Sequence, residues 1–182
     1  GFKTNGIYQN QAEINAYTNA AGDMIQPNAK PGDFRWENVD GEGTITADDR
    51  TFIGSPIPDY TFGLTLNLAY KNFDFMVFAQ GTAGNQIFQG LRRLDIGNAN
   101  YQTSALGRWT GEGTSNTFPR LTTDDTNKNF NNPSDFYLED GDYVRIKTMQ
   151  VGYSLPNDVL SKAGISRIRL YLTGENVFTF TK

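Results

Sequence analysis

The sequence predicts an all-β chain built from long antiparallel hairpins, and three observations predict it. Composition is the first: 19 Gly, 13 Phe and 9 Tyr among 182 residues, with few long aliphatic runs, favour pleated strands and turns over helices. The second is a period of two. From Tyr60 to Tyr70 every even position is apolar or aromatic, while Thr61, Gly63, Thr65, Asn67 and Ala69 fill the odd ones, the mark of a strand with unlike faces. The third is the rhythm of the links between strands. Short, long, short is how a transmembrane β-barrel alternates tight turns on one side of the bilayer with long loops on the other.

Taken in order, residues 1–56 carry no sustained period and read as a loop holding one acidic turn. Residues 57–82 read as a hairpin, Tyr60–Tyr70 turning at Lys71-Asn72 into Phe73–Gln80, with Phe73, Phe75, Val77 and Ala79 on one face. Residues 83–140 form a long link rich in Asn, Thr and Gly, and loops of that length in compact proteins are usually functional. Residues 141–182 read as a second hairpin with a short turn. In its first strand the apolar phase slips: Val144 and Ile146 precede Lys147-Thr148, whereas Met149, Val151 and Tyr153 follow it. A β-bulge at that point accounts for the slip. Pro156–Ile165 is the turn, with a helical snippet, and Arg167–Phe180 resumes with Ile168, Leu170 and Leu172 against Arg169, Tyr171, Thr173 and Glu175.

Aromatic residues of the apolar phase sit at strand ends. Tyr70, Phe73 and Tyr153 lie beside the short turns, Tyr60, Phe62, Phe178 and Phe180 beside the long links, and aliphatic side chains lie between. Two bilayer interfaces flanking a hydrocarbon core select that pattern. A soluble β-sandwich uses the same alternation, its apolar face being a core, and Met76 and Phe78 on the second face keep that alternative open. Membrane barrels start at about 8 strands, so the barrel reading makes these four part of a larger one.

Cysteine and histidine are both absent, which removes disulfides, thiol and imidazole catalysis and the usual zinc ligands. With a net charge of −4 and no basic block, no nucleic-acid partner is expected. The run Glu37-Asn-Val-Asp-Gly-Glu-Gly-Thr-Ile-Thr-Ala-Asp-Asp49 has the cadence of a calcium loop: oxygens at Asn38, Asp40, Glu42, the Thr44 carbonyl and Asp49. It departs from that pattern at both ends, where Asp and Glu are wanted, and no amphipathic helices flank it. Two readings stand, a Ca2+ site or a plain turn in which Gly41 and Gly43 permit the backbone and the acids are solvated. The plain turn is favoured, and no cofactor is required.

Several ordered motifs then point further: Pro31-Gly-Asp before the acidic turn, Asp49-Arg followed by Ile53-Gly and two prolines, Phe78-Ala-Gln-Gly, Leu138-Glu-Asp-Gly-Asp-Tyr-Val-Arg-Ile-Lys, Gly152-Tyr-Ser-Leu-Pro, and Gly174-Glu-Asn with Phe178-Thr-Phe. Together they make nearly the whole chain resemble the C-terminal part of SusC/RagA-type TonB-dependent transporters. The resemblance implies a C-terminal segment of a barrel of about 22 strands with a plugged lumen, in the outer membrane of a Gram-negative bacterium. It also implies import of oligosaccharides or peptides, driven by TonB through a region not read in this chain, with a SusD-like surface lipoprotein as lid. The loops 1–56 and 83–140 would be extracellular and the turn of the second hairpin periplasmic. Within them Trp36, Arg92, Arg93, Tyr101 and Trp109 are the candidates for cargo contact; the plainer role of such aromatics is to pin long loops, and of such arginines to be solvated. The lumen phase holds Asp74, Arg145, Lys147, Arg169 and Glu175. Acidic pairs at Asp124-Asp125 and Glu139-Asp140 lack the fixed separation a glycosidase needs, so no enzyme is expected. The alternative function is a secreted, calcium-assisted glycan-binding sandwich.

Overall fold

The structure, a computed structural model, describes residues 1–96 and 100–181. The chain divides into two compact units, one of Gly1–Gly54 with Phe88–Glu139, the other of Ser55–Ile87 with Asp140–Lys182.

The first unit gathers the two segments that lack sequence periodicity. Strand β1 (Thr4–Ile7) runs antiparallel to β2 (Phe34–Trp36), with Thr4 opposite Trp36 and Ile7 opposite Phe34. Between them α1 (Gln11–Ala16) starts at Asn10, whose side chain accepts from the Glu13 N–H at 3.1 Å, while the Glu13 carboxylate accepts from the Gln9 N–H at 2.8 Å. Those two bonds at its N-terminus support a helix of six residues too short to stand alone. Phe2, Ile7, Phe34 and Trp36 form the core, with Ile45, Trp109 and Phe136 packed on it, and Tyr8, Ile14 and Ala29 form a second cluster under Tyr17.

Buried polar side chains tie the segments together. Asp33 has no exposed surface and pairs with Arg120 (Oδ1 to Nε, 2.6 Å), and its Oδ1 also accepts from Asn129 Nδ2 at 2.8 Å. Gln26 accepts from the Tyr8 hydroxyl and the Trp36 N–H and donates to the Phe34 carbonyl and Asn127. Gly32, at φ +90°, precedes Asp33 because a Cβ there would sit 2.4 Å from the Trp109 ring. The Pro-Gly-Asp motif is thus a backbone device that aims Asp33 at Arg120.

The second unit is a four-stranded antiparallel meander of β3 (Tyr60–Tyr70), β4 (Phe73–Ala83), β7 (Tyr143–Ser154) and β8 (Arg169–Thr181), in that spatial order. Two short strands, β5 (Gln86–Phe88) and β6 (Leu138–Asp140), pair with each other. Both expected hairpins form. Lys71 turns the first one in the left-handed region at φ 54°, and α2 (Asn157–Leu160) followed by a 3₁₀ turn, Ser161–Ala163, joins β7 to β8. The expected bulge is present: Phe78 pairs with Thr148 and Ala79 with Ile146, which leaves Lys147 as the extra residue against β4; the pairing with β8 shifts at the same place, and Asn176 there takes φ 51°.

Register carries one apolar face across all four strands. Leu66 lies opposite Val77, Val77 opposite Met149, Val151 opposite Leu172 and Ile146 opposite Phe178. Leu64 is 67 %, Leu170 63 % and Leu172 79 % exposed. A sandwich would cover this face, and among the described residues of the unit no second sheet does so.

Candidate functional site

The acidic turn folds around Asp49 rather than around a shared centre of acids. Asp49 is fully buried, with Oδ1 accepting from the Val39 N–H at 2.8 Å and Oδ2 from the Thr46 N–H at 2.7 Å. Asn38 Oδ1 accepts from the Gly41 N–H and Asp40 Oδ1 from the Glu42 N–H. These are turn-closing bonds. Asn38, Asp40, Glu42, Thr44 and Asp49 share one turn, and among the described residues no three acidic side chains gather where a metal ion could be held. These bonds fix the backbone of Thr46–Asp49.

The five candidates for cargo contact separate into different roles. Trp36 is 1 % exposed, tilted between the rings of Phe2 and Phe34, and donates its indole N–H to the Asn127 carbonyl at 3.1 Å. Buried in that way it has no face for a ligand and pins the loop. Trp109 packs against the same core and donates to Gln9 Oε1 at 3.1 Å. Arg93 is exposed and its Nε is paired with Asp95 Oδ1 at 2.9 Å, a contact that holds the Asp95 carboxyl below its ordinary range.

Arg92 and Tyr101 come together. The guanidinium of Arg92 lies 4.7 Å from the Tyr101 ring centre and 5.1 Å from that of Phe130, and its Nη1 donates to the Phe130 carbonyl at 3.3 Å. With Phe118, Phe136 and Tyr137 they line a cavity of about 140 Å³. Its rings meet edge-on, Phe118 and Phe136 at 83° and Tyr101 and Phe130 at 73°, so they interlock rather than offer one flat platform. The Tyr137 hydroxyl donates to the Phe130 carbonyl at 2.9 Å, and burial pushes its phenol up to about 12 against the opposing pull of Arg92. Sequence reasoning missed Phe130, Asn127, Asn129 and Gln26. The one available signal was the asparagine-rich run from Asn127 to Asn132, since amides at that density need partners.

In the strand unit, the polar face is organised as well. Asp74 on β4 and Arg169 on β8 form a two-pronged pair (Oδ2 to Nε, 2.9 Å; Oδ1 to Nη2, 2.6 Å) that passes over Gly152 on β7. Arg145 donates to Thr179 Oγ1 at 3.0 Å and Lys147 to Asn176 Oδ1 at 3.3 Å. One face of the sheet is therefore apolar and uncovered, the other hydrogen-bonded and charged. A barrel wall between lipid and a wet lumen calls for such a division.

No family model matches the chain. A TonB-dependent receptor, P3, of Formosa agariphila is 34 % identical over the whole chain, which covers 17 % of that relative, and another from the same organism, P26, is 32 % identical, the chain covering 18 % of it. TonB-dependent receptor SusC of Bacteroides thetaiotaomicron is 27 % identical over 87 % of the chain and 16 % of its own length. The chain is a segment of a SusC/RagA-type TonB-dependent receptor. This receptor segment superposes on the RagAB peptide importer in its open-open state with a TM-score of 0.68 at 22 % identity, covering all of the chain and 18 % of that one. The segment spans about a sixth of the length of the curated relatives it matches. These relatives are receptors and not enzymes, and receptors of this type lie in the outer membrane of Gram-negative bacteria.

Proposed function

We propose that this segment is part of the barrel wall and surface loops of a TonB-dependent outer-membrane importer of oligosaccharides or peptides. In this reading the barrel is closed, has about 22 strands and a plugged lumen, and its four strands here are C-terminal ones. The segments 1–56 and 83–140 face the cell exterior, where a SusD-like lipoprotein acts as lid, and TonB engages a region outside this chain. The observation that carries the reading is the uncovered apolar face, continuous from Leu64 to Leu172 across four strands. Soluble proteins rarely expose so broad an apolar surface, whereas a barrel wall requires one. Arg92, Tyr101 and the aromatic cavity around them belong to the outer loops, and Arg93 and Trp109 to their surface and packing.

Site-directed probes test it. Single cysteines at positions 64, 66 and 68 of the full-length receptor, fluorescently labelled in lipid vesicles, should be quenched by lipid-borne quenchers. Quenching by aqueous reagents alone, or by neither, would exclude a lipid-facing wall.

A further inference from the structure

We propose that the loop unit holds a second, polar recess that binds an acidic sugar residue of the cargo, one carrying a carboxylate or a sulfate. The inference rests on the importer reading and narrows its cargo. The recess encloses about 420 Å³, within the usual range for small-ligand sites. Phe2, Ile25 and Trp36 lie buried beneath it and close its floor, so a ligand is held by the polar walls. Asn28, Asn132, Thr44 and Thr126 line its sides, and amides and hydroxyls both donate and accept as sugar hydroxyls demand. The Asp49 carboxylate, accepting from the Thr46 N–H, fixes the wall that contains Thr46 and Ala47.

Charge then selects the ligand. Arg50 and Lys128 line the recess and, among the described residues, no Asp or Glu does, although acids outnumber bases 20 to 16 in the chain. Neither cation forms an ion pair with a described carboxylate. Arg50 lies over the Phe2 ring instead, 5.3 Å from its centre, which leaves its N–H fork for a planar or tetrahedral anion.

Lys128 adds an independent observation. Its backbone lies in the left-handed region at φ 56°, where asparagine sits at less cost than lysine. Asp125 imposes that turn, its carboxylate accepting from the Asn129 and Phe130 N–H groups and its carbonyl from the Lys128 N–H. The neighbours on both sides are Asn127 and Asn129. A cation thus stands where the backbone favours an amide, and the recess it lines is the place its charge is used.

The test is calorimetric titration of the full-length receptor in detergent with three oligosaccharides: an oligogalacturonate, a sulfated galactan fragment and a neutral maltooligosaccharide. At least one acidic ligand should bind roughly tenfold tighter than the neutral one, and Arg50→Gln or Lys128→Asn should each remove roughly that tenfold, the worth of one charge-assisted hydrogen bond. Lys128→Asn relieves the backbone, so a loss there is not a folding defect. Preference for the uronate identifies a carboxylate and preference for the galactan a sulfate; either supports the proposal. Equal affinity for neutral and acidic ligands, or both variants binding like the parent, overturns it. Fractionation of the same receptor to the outer membrane is a separate check, so loss of the acidic site leaves the importer reading standing.

Discussion

At the scale of single residues, carboxylates in this chain act through backbone N–H groups and neighbouring cations more than through solvent. Asp49 is the clearest case. Removing its side chain in Asp49→Ala leaves the Val39 and Thr46 N–H groups without their partner, at about 1–3 kcal/mol, and thermal denaturation should show the loop unit melting earlier. Calcium or EDTA should leave the melting of the parent unchanged, because the turn is already closed by its own hydrogen bonds. A second residue-scale prediction concerns Gly152. A Cβ there would stand 2.5 Å from Asp74 Oδ2 and 2.6 Å from Arg169 Nη2, so Gly152→Ala should cost about 1–3 kcal/mol by overpacking. The heat needed to convert folded to unfolded receptor on a gel reads this out. From sequence, the cadence of the acidic turn was legible but its purpose was not, since a metal loop and an Asx-built turn use the same residue types. Trp36 was ambiguous for the same reason: only its surroundings decide whether an indole is a platform or a core.

At the scale of elements, the long strands were readable because their signal is local. Alternation within β3 and the phase slip at Lys147 need no knowledge of neighbours, and both hairpins and the bulge formed where the pattern put them. The short elements were not readable. β1, β2 and α1 hold 4, 3 and 6 residues and are stabilised by partners from the distant segment, Asn127, Asn129, Arg120 and Asn116, which no local window sees. Strand faces make the next prediction. Leu66→Arg or Leu170→Arg puts a guanidinium on the apolar face, at about 2–4 kcal/mol near a bilayer midplane. Thr65→Arg and Thr173→Arg, on the polar face, should be tolerated. Counting folded receptor in outer-membrane fractions should therefore show loss for the first pair and survival for the second.

At the scale of the whole molecule, connectivity sets sidedness. The Lys71-Asn72 turn and the β7–β8 connection lie at one end of the meander, while Tyr60, Ala83, Tyr143 and Thr181 mark the other. Protease added to intact cells should nick the exposed Gly111-Glu-Gly113 stretch and spare Pro156–Ile165, as mapped by mass spectrometry of the fragments. Cutting at the second site alone would invert the orientation. The bulge at Lys147 has a further consequence at this scale. Side chains on a strand follow a two-letter code, inward and outward, and a single inserted residue reverses its parity. The two halves of β7 are therefore written in opposite parity, and they agree with one apolar face only when the insertion falls between the partners Phe78 and Ala79 of β4. A pairing slipped by one residue would turn Arg145 or Gln150 toward hydrocarbon in one half or the other. The extra residue works as a check digit for assembly: a misaligned copy contradicts itself within one strand.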